Sequence, residues 1–113
     1  MEELRHSPLV GAIWETYVFS ELRKREAGRR LHWSVYFWHD RSREVDFVTD
    51  RGGRFEIWEA KWTENPSVRE ASAVEYLRRL LGERFVLKQS VVCRASHRYP
   101  LTDSTDAVNL DDL

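Results

Sequence analysis

The stretch that decides the fold is EVDFVTDRGGRFEIWEAKW, residues 44–62. It opens on a strand-like run, Glu44 to Thr49, in which Val45, Phe47, Val48 and Thr49 favour extended backbone. It breaks at Asp50-Arg51-Gly52-Gly53 and resumes as a second extended run from Arg54 to Trp62. Two glycines between such runs predict a hairpin, because both central residues of the favoured tight turn need positive φ. Taking Gly52-Gly53 as that turn fixes the register. Arg51 then faces Arg54, Val48 faces Ile57, Asp46 faces Glu59 and Glu44 faces Lys61. Side chains alternate along a strand, so Glu59 and Lys61 share one face and Asp46 joins them there. Phe47 with Trp58, and Val45 with Ala60, are expected on the other, core face. A slip by one residue would exchange the two faces.

Directly opposed carboxylates repel each other on a sheet. They are tolerable if one takes up a proton or if a cation sits between them. A hard divalent ion such as Mg²⁺ or Mn²⁺ suits carboxylate oxygens, and it can bind a phosphate oxygen and activate a water. A lysine beside it can orient that water or steady charge developing on the phosphate. Asp46, Glu59 and Lys61 thus form a minimal phosphodiester-cleaving set, the two acids as metal ligands. The competing reading is a half-exposed sheet face carrying a Glu44–Lys61 ion pair. Trp58, Ala60 and Trp62, which interleave with Glu59 and Lys61, weigh against a merely solvated strand.

Working outward, Ser7-Pro8 predicts a helix start, with Ser7 as cap and Pro8 in the first turn. The helix carries Leu9, Val10, Ile13, Trp14, Tyr17, Val18, Phe19 and Leu22 and ends near Gly28. Its apolar residues cover most of the circumference, so burial on more than one side is expected. Glu15 lies inside this helix, with Val18 and Phe19 at i+3 and i+4. It is either a third acid facing the metal site or a snorkelling glutamate paired with an arginine. Leu31 to Trp38 predicts a strand and His39 to Ser42 a turn. After Asn65-Pro66, Ser67 and Glu70 form a capping-box pattern. The helix behind them bears Val68, Ala71, Val74, Leu77, Leu80 and Leu81, and Gly82 stops it. Phe85 to Cys93 predicts the last strand. Tyr99 to Leu113 reads as a polar tail on which Val108 and Leu110 could dock, with residues 101–113 acidic. The order is αβββαβ in a single domain spanning residues 1–113.

These residues resemble those of the PD-(D/E)xK, or restriction-endonuclease-like, nucleases. That superfamily has an αβββαβ core, an acid on the second strand and E-x-K on the third, matched here by Asp46 and by Glu59-Ala60-Lys61. Many members add a glutamate on the first helix, matched by Glu15. More narrowly, the chain is similar to the uncharacterised C-terminal domain of a family of prokaryotic AAA-type ATPases. There a G-x-x-W/F-E-x-x-V helix, here Gly11 to Val18, precedes an E-V-D-F strand and an E-x-K strand. The resemblance covers nearly the whole chain. It implies an α/β fold with a mixed central sheet flanked by helices. It also implies a Mg²⁺- or Mn²⁺-dependent DNA nuclease, or a nuclease-like DNA-processing domain, with Asp46, Glu59 and Glu15 on the metal and Lys61 catalytic. An AAA-type ATPase partner follows from the narrower likeness. The alternative is a non-catalytic module that keeps the fold for dimerisation or for docking to such an ATPase. Three features depart from the pattern. No Walker A loop is present, Val45 stands where proline commonly precedes the acid, and the second helix offers Ser72, Glu75 and Tyr76 where some nucleases carry a glutamine.

Composition bounds the rest. The 113 residues suit one core, and no apolar run is long enough for a membrane span. The single cysteine, Cys93, excludes an internal disulfide and a cysteine-based zinc site, and it reads as a small core residue. With no signal-peptide pattern, the expected compartment is the cytoplasm. Net charge is −1, but all 18 basic residues and 15 of the 19 acids lie in residues 1–100, a body of +3 ahead of an acidic end. That is compatible with DNA and equally with a mixed solvated surface. Arg23-Lys24-Arg25 and Arg29-Arg30 either contact phosphates or simply suit a helix end. His32, His39 and His97 show no metal-ligand spacing. Five tryptophans is a high number; Trp38 and Trp62 on strands could stack on bases, but core packing or a homodimer interface is the favoured reading.

Overall fold

The computed structural model describes residues 8–28, 35–40 and 43–113. Within them lie two α-helices and a six-stranded mixed sheet. Helix α1 spans Pro8–Ala27 and α2 spans Ser72–Leu81. The strands are β1 (Val35–Asp40), β2 (Arg43–Asp50), β3 (Phe55–Ala60), β4 (Val86–Val92), β5 (Tyr99–Pro100) and β6 (Thr105–Val108). Their spatial order is β1-β2-β3-β4-β6-β5. β4 runs parallel to both β3 and β6, and the remaining neighbours are antiparallel. The parallel β3–β4 pair follows from chain logic, since α2 carries the chain back across the sheet between them.

The hairpin adopts the register set by its glycines. Gly52 and Gly53 have φ of 71° and 93°, and the Arg51 amide donates to the Arg54 carbonyl at 2.7 Å. Phe47 pairs with Trp58, Val48 with Ile57, Thr49 with Glu56 and Asp50 with Phe55. Residues 29–34, 41 and 42, with the Arg29-Arg30 pair among them, and the cap at Ser7 lie outside the described residues. His39 and Asp40, expected in a turn, are instead paired strand residues opposite Glu44 and Arg43.

Each face of the sheet holds one helix. On one side Val18 and Leu22 of α1 pack with Phe47, Trp58, Val92 and Val108. On the other, Val74 and Leu77 of α2 pack with Val45, Val48 and Ile57. Ile57 and Trp58 are neighbours on β3, so the two cores lie on opposite faces.

Val45 departs from the expected face. Simple alternation puts it beside Phe47, yet it packs on the α2 side with Val48. The cause is a register shift in the β1–β2 ladder. Tyr36 pairs with Val48 but Trp38 pairs with Val45, so Asp46 and Phe47 together oppose the single residue Phe37. That is a β-bulge in β2 at Asp46-Phe47, and a bulge re-aims the side chains around it.

Two further expectations need correction. α1 is buried along one side only: Val10, Val18, Leu22 and Glu26 face inward, whereas Leu9, Ile13 and Tyr17 are each more than half exposed. The Tyr99–Leu113 segment is more than a docked tail. Its β6 extends the sheet beyond β4, with Thr105, Ala107 and Val108 buried. Leu110 packs against the α1-side core. Cys93 is fully buried among Ala95 and Ala107.

The basic run at the end of α1 also has a structural use. Arg25 donates to Glu26 at 2.7 Å and to Glu56 at 2.8 Å, and Lys24 pairs with Glu21. Arg25 is therefore consumed inside the fold and not offered to phosphate. No helix among the described residues is long and apolar enough to cross a membrane.

Candidate active site

The β2–β3 ladder ends at the Phe47–Trp58 pair, yet β2 runs back to Arg43 and β3 runs on to Ala60. The two strands part beside the bulge, and carboxylates take over the exposed backbone groups. The Ala60 amide donates to Asp46 Oδ2 at 2.7 Å, and the Asp46 amide donates to Glu59 Oε1 at 3.2 Å. Where a regular ladder would join main chain to main chain, two acidic side chains bridge the gap.

A cavity of about 730 Å³ opens there. Glu15 from α1, Asp46 from β2, and Glu59 and Lys61 from β3 and its end all line it. The structure therefore brings together all four residues singled out from the sequence. Gly11 lies one turn before Glu15 on the α1 wall, while Ser72 and Ala73 line the α2 side. The splayed strands thus let elements from both faces of the sheet reach one space.

Asp46 and Glu59 are both buried, at 8 % and 5 % exposure. Burial pushes the Glu59 carboxyl up to about 9, helped by a side-chain hydrogen bond to Asp46 and by the Asp46 charge, and opposed by Lys61. Glu59 therefore keeps its proton at neutral pH, as a carboxylate in a dry site beside another acid does. The Glu15 carboxyl is also raised, by burial first and then by the charges of Asp46 and Glu44, against the opposing pull of Lys61. Lys61 itself is exposed at the rim. Among the described residues no ion pair joins Glu44 to Lys61, so the surface-pair alternative is not realised.

The second-helix candidates separate. Ser72 lines the cavity. Glu75 turns away and accepts from Thr102 and Thr105. Tyr76 lies under Arg43, whose guanidinium carbon sits 4.1 Å from the ring centroid. Arg43 and Arg69 also line the cavity. Sequence reasoning passed over both, because isolated surface arginines carry no pattern of their own. Trp62 is half-buried at the cavity wall, edge-on to Trp14 and covered by Arg94 at 3.7 Å.

Whether these groups suit a cation is decided by their donors. Among the described residues, no three His, Cys, Asp or Glu side chains are gathered as a ready-made metal cage. The two buried carboxylates of Asp46 and Glu59 do form a compact, oxygen-only donor pair. Each has one oxygen tied by a backbone amide and a second oxygen not so tied. That set fits a hard divalent ion, which keeps several waters and needs only one or two carboxylates.

A protein-family model matches residues 10–113. The chain belongs to DUF4143, a domain of unknown function. This DUF4143 domain is 29 % identical over 111 residues to an uncharacterized protein of Mycobacterium bovis, and equally to one of Mycobacterium tuberculosis. The aligned segment covers 97 % of this chain but 23 % of each relative, so the domain spans about a quarter of their length. No solved structure matches the chain.

Proposed function

We propose that this DUF4143 domain is a nuclease-like module of the PD-(D/E)xK kind, acting on phosphodiester bonds of DNA with Mg²⁺ or Mn²⁺. The observation that carries the reading is the meeting of Asp46, Glu59, Lys61 and Glu15 in one cavity at the point where β2 and β3 part. An αβββαβ core lies within the observed element order, with β5 and β6 added at the end.

A bound divalent ion would supply Lewis acidity toward a phosphate oxygen. Asp46 and Glu59 would hold it, and Glu15 completes the acidic wall. The chain's own residues do the rest. The backbone amides of Asp46 and Ala60 fix the two carboxylates in place. Lys61, exposed at the rim, offers three donors and a positive charge where the attacked phosphate gathers negative charge. The proton held by Glu59 must leave when a cation binds, so binding is linked to pH.

The test is thermal unfolding with and without metal. A ligand that binds only the folded state raises its stability by mass action. Millimolar Mn²⁺ is expected to raise the melting temperature of the wild type. Asp46→Asn with Glu59→Gln should abolish the response while keeping the backbone bridges, since both amides retain an acceptor oxygen. The pH dependence has a defined sign. Only the folded state keeps the Glu59 proton between the ordinary carboxylate range and about 9. Without metal, stability therefore falls as pH rises through that window. With metal, the melting-temperature gain should grow over the same window. A melting curve that millimolar Mn²⁺ leaves unchanged at pH 8 removes the proposal.

A second reading has one specific observation in its favour. Leu9, Ile13 and Tyr17 recur at four-residue spacing on α1 and are exposed, and Tyr36 and Phe37 are exposed on the edge strand β1. Apolar surface of this kind suits a subunit or partner interface. A homodimer, or docking to an AAA-type ATPase, would use it. Light scattering at micromolar concentration is expected to return twice the 13.5 kDa chain mass. A charge at Ile13 (Ile13→Lys) should return the monomer. Only monomer mass from the wild type excludes the homodimer.

A further inference from the structure

We infer that Arg43 and Arg69 are positioning residues that grip backbone phosphates of a nucleic-acid strand on either side of the phosphate presented to Lys61. The inference rests on the nuclease-like reading of the cavity and adds the polyanion that the cavity takes.

The cavity is graded in charge with depth. Asp46 and Glu59 lie buried at its base, whereas Arg43, Lys61 and Arg69 are exposed where it opens. Five arginines elsewhere in the fold, Arg25, Arg51, Arg78, Arg94 and Arg98, each lie within 4.0 Å of a carboxylate. Among the described residues, none of the three cavity cations has such a partner. Glu70 also lines the wall, but its carboxylate accepts from the Ser67 amide at 2.6 Å and the Ser67 hydroxyl at 2.7 Å. It is therefore committed to starting the helical segment and makes no direct ion pair with Arg69, although the two charges attract. Glu44 is exposed and also lines the cavity, so the opening carries one acid beside the three cations.

Arg43 is also pre-positioned. Its residue starts β2, paired with Asp40 of β1, and its guanidinium rests on the Tyr76 ring. Tyr76 is itself packed against Trp38. Stacking covers one face of the guanidinium and leaves the in-plane N–H groups free for oxygen atoms, the geometry in which arginine recognises phosphate. Arg69 comes from the 3-10 turn Val68–Ala71 that leads into α2, so both cations belong to the α2 side of the opening. A mononucleotide offers one phosphate group. A strand offers a row of them, which suits three cations around one opening.

The experiment is fluorescence anisotropy with a labelled single-stranded 20-mer and with a labelled mononucleotide, in EDTA so that nothing is cleaved. Neutralising a phosphate contact lowers the slope of log affinity against log salt by about 0.7 for a single strand. The wild type should bind the 20-mer with a salt-dependent affinity and bind the mononucleotide far more weakly. Arg43→Gln and Arg69→Gln should each weaken strand binding several-fold and flatten the slope by about one contact. Arg98→Gln, whose native partner is Asp106, should leave the slope as it is. Tyr76→Leu should weaken strand binding as Arg43→Gln does. Unaltered slopes in both arginine variants overturn the inference, as does equal affinity for the mononucleotide or no binding of the strand at low salt. None of these outcomes touches the metal-dependent melting shift, so failure here is separable from failure of the nuclease-like reading.

Discussion

Lys61→Ala is expected to cut phosphodiester cleavage steeply while leaving the fold intact and metal binding present. Lys61 lies beyond the end of β3 and is exposed, and its backbone amide, which donates to Val92 at 2.9 Å, survives the substitution. The core loses nothing, so the melting temperature should stay within about 2 °C of the wild type, as for other surface changes. Asp46 and Glu59 keep their backbone bridges, so Mn²⁺ should still stabilise the variant. Cleavage should fall by about 10²–10³-fold, the usual cost of removing one pre-positioned donor from charge that develops in the transition state. Lys61 also opposes the rise of both the Glu15 and Glu59 carboxyls. Its loss should therefore shift metal binding to higher pH. A Lys61→Ala protein that cleaves at the wild-type rate with its metal response intact would exclude Lys61 from the chemistry. No cleavage by the wild type, with a clear metal response, would leave a binding module.

The hairpin was legible because its turn obeys a backbone rule. Adjacent glycines at 52 and 53 supply positive φ cheaply, and the pairing from Asp50–Phe55 to Phe47–Trp58 then follows by counting. The capping pattern at Ser67 and Glu70 and the stop at Gly82 are local in the same sense. The bulge at Asp46-Phe47 was not legible. It depends on how β1 lies against β2, a tertiary fact, and it sends Val45 to the opposite core. It also bears on the site, because the ladder to β3 stops beside it and the acids cap the opening. β6 escaped notice because Thr105–Val108 is short and mixed in polarity. A parallel partner on β4 is what makes it a strand. Arg43 and Arg69 had no periodic signature. They become visible only once Tyr76 and the cavity are in place.

The largest stability effect should come from Arg51→Met, far from the cavity. The Arg51 fork donates to both oxygens of Glu26, at 2.7 and 2.6 Å, and its Nε donates to Glu56 at 2.9 Å. Glu26 is 2 % exposed on α1, so this arginine ties the helix to the hairpin turn through a desolvated carboxylate. Among the described residues, Arg25 would remain as the one direct ion-pair partner of two acids. Removing one member of a buried ion group leaves uncompensated charge and costs about 3–5 kcal/mol. For a domain of this size that lowers the melting temperature by more than about 10 °C. Replacing the pair together, Arg51→Met with Glu26→Leu, should recover much of the loss, because the stranded charge is gone. Acid sensitivity supplies an independent readout. Burial raises the Glu56 carboxyl, but the Arg25 charge and the hydrogen bond and charge of Arg51 outweigh it, so the net shift is downward. A depressed carboxylate contributes stability above its unfolded value, and that contribution fades as pH falls through the folded one. The wild type should therefore lose stability below about pH 4. Arg51→Met should lose less over that range, since the part of the depression that Arg51 supplies has already been removed. Equal melting temperatures for Arg51→Met and wild type at pH 7 would show that water reaches Glu26 and that the network does not hold α1 to the hairpin.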